Sequence, residues 1–276
     1  MSITVGIDIG GSTTKIVGLQ DGKMISPFKV KATDPVTSLY GAFGRFIAEN
    51  ALKLSEIQQI MVTGVGASFI GGDIYQIPTK VANEMTAIGL GGLHLSGLTD
   101  ALVVSMGTGT AFVRASEQEI VHIGGSGVGG GTLLGLGRLV LNVRDFDTIV
   151  ALAAEGNLAN VDLSIGDISS ALVSNLPAET VAANFGKISD MASKSDIALG
   201  IINMVFQSIA MMAVFATRAQ DCRQIVATGN LTTVPQIHEI FGGIEQLFGV
   251  KYLVPQSAEY ATALGAAISH KSALQR

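Results

Sequence analysis

Asp8 ends an apolar run and stands just ahead of Gly10, Gly11, Ser12 and Thr13, with Lys15 close behind, in the stretch "GIDIGGSTTK". A glycine corner lets backbone N–H groups converge on an anion, because no Cβ blocks the approach. A carboxylate beside such a corner is well placed to hold Mg²⁺ directly or through water, and Thr13, Thr14 and Lys15 add donors. The same residues also suit a plain hairpin turn with a surface lysine, and this stretch alone leaves both readings open.

"MGTGT", Met106–Thr110, has the same design: an apolar strand, a small corner with hydroxyls at Gly107, Thr108 and Gly109, then Thr110 opening a second strand. Phosphoryl transfer needs a polyphosphate clamped from two sides with its charge neutralised, and two facing corners would provide that clamp. "GVGGGT" brings Gly129, Gly130 and Gly131 to a helix start, which can hold an anion or approach a flat base, although it lacks a Walker lysine. "ATGN" closes a strand with Gly229 and Asn230, at the carboxyl end where α/β folds put ligand contacts. Glu84 lies among small and apolar neighbours in "KVANEMTAIGLGG". Partial burial there would raise its pKa and make it a usable base, whereas an exposed helical glutamate would do nothing. No histidine falls in a metal-ligand array, and His122 is set apart only because it directly precedes the glycine loop.

The elements that must carry these residues follow from periodicity. Residues 3–9, 14–19 and 23–29 read as strands, 36–51 as a helix, 59–62 as a strand, and 81–90 as a helix ending at Gly91-Gly92. A second strand pair surrounds Gly107–Gly109. Helices are expected at 132–143, 148–156, 197–219, 234–247 and 258–271, with strands at 224–228 and 251–254. Alternating strands and helices define an α/β fold. Two like corners about a hundred residues apart suggest a duplication with one copy in each half. The expected domains are 1–98 and 99–276, the last helix packing back on the first.

Composition narrows the classes. A formal net charge of −5 gives a nucleic-acid partner little electrostatic support. A single cysteine, Cys222, excludes a disulfide framework or a multi-cysteine cluster within one chain. The first residues carry no basic leader pattern, and a cytoplasmic setting is expected. The uncharged stretch Ile197–Thr217 is long enough to span a bilayer, but Asn203, Gln207 and Ser208 interrupt it and no basic flank or aromatic belt accompanies it. It is read as a helix buried in the protein or at a dimer interface, not as a membrane span.

Taken together, these segments resemble the type II (eukaryotic-like) pantothenate kinases of the acetate and sugar kinase/Hsp70/actin superfamily. "VGIDIGGSTTKIV" resembles that family's first phosphate motif, "MGTGTAF" its second, and "GVGGGTLLGLGRLV" its glycine-rich nucleotide segment; "AANFGKI", "QIVATGNL" and "EYATALGAAIS" follow in the family order. The resemblance covers most of the chain. It implies duplicated actin-like (ribonuclease H-like) domains with ATP in the cleft between them. The implied reaction is Mg²⁺-dependent transfer of the γ-phosphate to the 4′-hydroxyl of pantothenate. It implies Glu84 as catalytic base, Asp8 and Lys15 as the phosphate and Mg²⁺ apparatus, and Tyr260 as a substrate contact. It also implies a homodimer joined through 197–217.

One position departs from the family. An arginine that contacts substrate just before the glycine segment is replaced by His122, in "IVHIGG". Arginine is always charged and grips in two places; histidine is smaller and titrates near neutrality. Arg114 and Arg138 are the nearby candidates to replace it. Other readings on the same fold are an activator of 2-hydroxyacyl-CoA dehydratases, a sugar or N-acetylglucosamine kinase, and a non-catalytic nucleotide-binding module. The activator family uses two cysteines per subunit for an iron–sulfur cluster, and this chain has one.

Overall fold

A computed structural model describes residues 2–31, 34–169, 176–220 and 222–271. The chain runs β1 (Ile3–Ile9), β2 (Thr13–Gln20), β3 (Lys23–Lys31), α1 (Pro35–Glu49), β4 (Ile57–Thr63), β5 (Thr79–Val81) and α2 (Glu84–Ser96). It continues through β6 (Asp100–Met106), β7 (Thr110–Ser116), β8 (Ile120–Ser126), α3 (Gly130–Leu136) with a π turn over Gly137–Leu141, and α4 (Phe146–Ala153). A small insertion holds β9 (Leu163–Ser164), α5 (Ile165–Ile168) and β10 (Val181–Ala183). The rest is α6 (Lys194–Ala219), β11 (Gln224–Thr228), α7 (Ile237–Phe248), β12 (Lys251–Leu253) and α8 (Ala261–Ser269).

Two five-stranded sheets have orders β3-β2-β1-β4-β5 and β12-β11-β6-β7-β8. These are the same arrangement: an antiparallel three-strand meander whose first strand pairs in parallel with a later one, in each half. Register aligns the copies residue by residue. Asp8 is opposite Thr63, as Ser105 is opposite Thr228. Each parallel strand then ends in a glycine of positive φ, Gly64 at 86° and Gly229 at 90°, followed by a short 3₁₀ turn.

The first core packs β1 and β4 against Leu39, Phe43 and Phe46 of α1. The second packs β6, Phe112 and β11 against α6, whose Ile202, Val205, Phe206, Ile209 and Ala213 are buried. The polar residues of α6 serve the insertion. Asn203 Nδ2 donates to the buried Asp162 carboxylate at 2.7 Å, and Asn184 Nδ2 donates to Gln207 Oε1 at 3.2 Å. Asp162 also accepts from the backbone N–H of Phe185 at 2.8 Å, fixing that residue at a φ of 56°. The helix is apolar enough to resemble a membrane span by composition, yet 61% of its apolar window is buried within this chain and the amides of Asn203 and Gln207 have partners.

The two halves are joined by crossed helices. α2 lies on the second sheet, against β6, β7, β8 and β11, while α8 returns to the first, against β1, β2 and β4. α2 does not stop at Gly91-Gly92; it runs to Ser96 and is capped by Gly97 at a φ of 69°. Gly91 and Gly92 are there for close approach, to α8 and to Val103 respectively. The segment expected as a helix over 132–143 divides into α3 and the π turn, and "IVHIGGS" is a strand, completing the second meander.

Candidate active site

β1 is buried along its whole length, and Asp8 is its single charged residue. The turn closes by Gly10 N–H donating to Thr13 C=O at 3.0 Å, and register sets Lys15 opposite Asp8. The ammonium stands 3.8 Å from Asp8 Oδ2, an ion pair longer than a hydrogen bond, with both residues under 10% exposed. Burial pushes the Asp8 carboxyl upward against the pull of Lys15. Burial likewise pushes Lys15 downward, opposed first by Asp8, with Lys29 lowering it further and Glu259 supporting the charge. Gly64 walls one side: a Cβ there would lie 2.7 Å from Asp8 Oδ1 and 2.7 Å from Ile9 C=O.

The second corner is fastened from behind by the glycine loop. Gly130 N–H donates to Gly107 C=O at 2.9 Å, Gly131 N–H to Thr108 C=O at 2.8 Å, and Gly107 N–H to Gly109 C=O at 2.8 Å. A Cβ on Gly129 would meet Thr108 C=O at 2.7 Å. Thr110 Oγ1 donates to Val128 C=O at 2.8 Å, and Thr132 Oγ1 to Gly127 C=O at 2.8 Å. Several amides that a glycine-rich reading would offer to phosphate are therefore spent within the loops. Among the described residues, the corner N–H groups with no protein acceptor are those of Gly11, Ser12, Thr108 and Gly109. These belong to the tips that face one another, where Ser12 Oγ and Thr108 Oγ1 are 3.5 Å apart.

Gly229 supports the second corner as Gly64 supports the first, a Cβ there meeting Met106 C=O at 2.5 Å. Its N–H donates to Ala258 C=O at 3.0 Å, tying β11 to the turn before α8. The side-chain oxygen of Asn230, next in line, is buried without a partner among the described residues.

Glu84 is the first residue of α2, behind the N-cap Asn83, whose Oδ1 accepts from Thr86 N–H at 3.0 Å. It is half-buried. Burial raises its pKa first, and the negative charge of Asp8 raises it further. Glu84 thus senses the negative charge of Asp8. His122 is exposed on β8 opposite Val113, four residues before Ser126 reaches the corner. Arg114 is not free to replace the missing arginine, because it pairs in two places with Asp100 at the far end of β6. Arg138 is exposed on the π turn with no ion pair among the described residues. Tyr260 is half-buried beside Val17 and Leu264, and burial and then Glu259 push its hydroxyl upward.

Gly64 and Glu259 went unnoticed in the sequence. The signal for the first was present: "VTG" at 62–64 and "ATG" at 227–229 end equivalent strands. No spacing rule points to Glu259, which approaches Lys15 only because α8 folds back.

A duplicated α/β frame with facing hairpin corners defines an actin-like ATPase fold. In agreement, 96% of the chain aligns with 93% of the activator of the 2-hydroxyisocaproyl-CoA dehydratase from Clostridium difficile, solved with bound ADPNP, at a TM-score of 0.70 and 18% identity. Within that fold the chain belongs to the Fumble family, whose model matches residues 96–240, more than half of its length. Relatives named type II pantothenate kinase include one from Bacillus cereus (strain AH820), 27% identical over 247 residues with 86% of each chain covered. Another, from Staphylococcus aureus (strain USA300), is 28% identical over 236 residues, covering 82% of this chain and 84% of that one.

Proposed function

We propose that this protein is an ATP-dependent kinase that phosphorylates the 4′-hydroxyl of pantothenate, the first step towards coenzyme A. The observation that carries the reading is the approach of the two corner tips, Ser12 to Thr108, with the Asp8–Lys15 pair at the first corner and Glu84 near enough to feel the Asp8 charge. Membership of the Fumble family and relatives named for this activity support it.

In this proposal the tips, in contact at Ser12 and Thr108, part to admit the polyphosphate, which takes the N–H groups of Gly11, Ser12, Thr108 and Gly109 that have no acceptor among the described residues, and Lys15 neutralises charge on the first side. The adenosine lies against Gly129–Gly131 and Gly229–Asn230. Asp8 is the group to hold Mg²⁺: its carboxylate accepts no hydrogen bond among the described residues, and Mg²⁺ binds through one or two carboxylates with phosphates and water. Bound there, the ion would neutralise the transferring phosphoryl group. Glu84 takes the proton of the acceptor hydroxyl as that oxygen attacks in line, its raised pKa making it a better base than an exposed glutamate. Closure of the two halves, 1–98 and 99–276 with α8 on the first, would exclude water from the cleft.

A cytoplasmic homodimer formed through 197–217 belongs to the same reading. Phe215 of α6 is 58% exposed, and Leu139 on the nearby π turn is 80% exposed, so an apolar surface remains for a second copy.

The test is ADP release from ATP with Mg²⁺, measured with pantothenate, pantetheine and several sugars in turn. Stimulation by pantothenate is expected. Stimulation by a sugar alone, or by no small alcohol, would refute the assignment.

A further inference from the structure

The proposed base and the proposed phosphate acid both fall within 1–98, but the helix that the base begins packs on the second sheet. Asp8 belongs to the first sheet, onto which α8 is packed, and Glu84 begins α2, which is packed on the second. The residue two before Glu84 is held to the first sheet, Ala82 N–H donating to Val62 C=O at 2.8 Å and Ala82 C=O accepting from Thr63 Oγ1 at 3.1 Å, and the contact between α2 and α8 sets the direction the helix takes from that tie.

That contact is backbone on backbone. A Cβ on Gly91 would overlap the carbonyl oxygen of Ala261, and a Cβ on Gly265 would overlap the carbonyl oxygen of Ala87. The two glycines are reciprocal: each helix supplies the gap into which the other's carbonyl fits. Gly6 extends the same seam into the first sheet, since a Cβ there would overlap Ala263 C=O. All three obstacles are backbone atoms, which cannot rotate aside as a side chain can. Other helical glycines are not of this kind: around Gly44 of α1 and Gly242 of α7 a Cβ would meet nothing within 4 Å.

We infer that Gly91 and Gly265 are positioning residues for the reaction proposed above: they fix the depth of the α2–α8 crossing and so hold Glu84 at working distance from the phosphate corner. Neither touches a reactant. A methyl group on either must separate the helices by on the order of 1 Å, and a misplacement of that size costs about 10²-fold in rate. Ala87 lies three residues from Glu84 on the same helix, within one turn, so a displacement at the seam tilts the turn that carries the carboxylate.

The inference rests on the kinase reading, and the experiment separates the two. Gly91→Ala and Gly265→Ala are compared with Gly44→Ala and Gly242→Ala for kcat, KM and nucleotide affinity measured without acceptor. The seam variants are expected to lose about 10²-fold in kcat with ATP affinity within about threefold of the parent, and the controls to match the parent. Unchanged kcat in the seam variants, or a parallel loss of kcat, nucleotide affinity and melting temperature, would overturn the inference. Glu84→Asp draws the carboxylate back by one methylene without touching the seam, so it folds regardless. It should lose rate comparably, and wild-type kcat in it would overturn the claim that spacing on this scale matters. Spin labels at Lys53→Cys and Glu239→Cys, both exposed and on opposite halves, in a Cys222→Ser background, read the displacement with no substrate at all. A longer distance in both seam variants supports the inference and an unchanged one overturns it, whatever the acceptor proves to be.

Discussion

Replacing Glu84 by Gln removes a proton acceptor while keeping shape and nearly all contacts, so it isolates the chemistry assigned to this residue. A positioned general base contributes about 10²–10⁴-fold, or roughly 3–5 kcal/mol of barrier, and the loss in kcat should fall in that range. Nucleotide affinity should stay within about twofold, because the free N–H groups of the tips and Lys15 are untouched. The pH dependence gives a second reading of the same group. Burial and then Asp8 raise the Glu84 pKa, so the parent's rate should fall with acidification at a pH above the ordinary glutamate range, and Glu84→Gln should lack that limb. Stability should move the opposite way. An acid whose pKa is higher folded than unfolded disfavours the native state once pH rises above its unfolded value. Glu84→Gln should therefore melt higher than the parent at neutral pH and alike in acid. The assay is coupled ADP release across a pH series, with equilibrium nucleotide binding and thermal melts on the same samples. A kcat within threefold of the parent, or a loss of nucleotide affinity that matches the loss of kcat, would refute the role.

Gly64→Ala adds a Cβ at a φ of 86° against Asp8 Oδ1 and Ile9 C=O; thermal melts should show a loss of about 2 kcal/mol, with kcat falling as Asp8 is pushed off its position. Asp162→Ala strands the N–H donors of Asn203 and Phe185 beside α6, and denaturant unfolding should report a loss of about 3 kcal/mol with KM for ATP little changed. His122→Arg restores a fixed charge on β8, and KM for pantothenate should fall without a change in KM for ATP; an unchanged KM would mean that Arg138 or another group already binds the carboxylate.

The residues of the two corners were legible in the sequence because each joins two independent signals, a buried strand ending and a glycine turn. Their opposition was legible from the repeat. The glycines misled wherever their purpose was contact. Gly91-Gly92 reads as a helix end by local rules, yet the helix continues to Ser96 because α8 occupies the space that side chains would fill. The amides of Gly107, Gly130 and Gly131 likewise close the loops behind the tips, a use that no local pattern reveals. Long-range geometry of this kind leaves no local periodicity. Asn203 and Gln207 showed the converse: as interruptions of an apolar helix they argued against a membrane, and their partners Asp162 and Asn184 lie in the insertion.

The duplication also bears on the proposed site. By register, the Asp8–Lys15 pair of the first corner corresponds to Ser105 opposite Ala111 in the second. The frame was copied, with Thr-Gly strand ends and matching turns, but the charge was kept once. A second buried carboxylate facing the same polyphosphate would add repulsion and demand its own counter-charge in a site where Asp8 is already costly to ionise. At the second corner Gly129, Gly130 and Gly131 are held by backbone contact to Gly107, Thr108 and Gly109. In the proposed site one corner is therefore charged and the other neutral. The proposed base, Glu84, stands where α2 leaves the first sheet, two residues after Ala82 is bonded to Val62 and Thr63, and the rest of that helix packs along the second sheet.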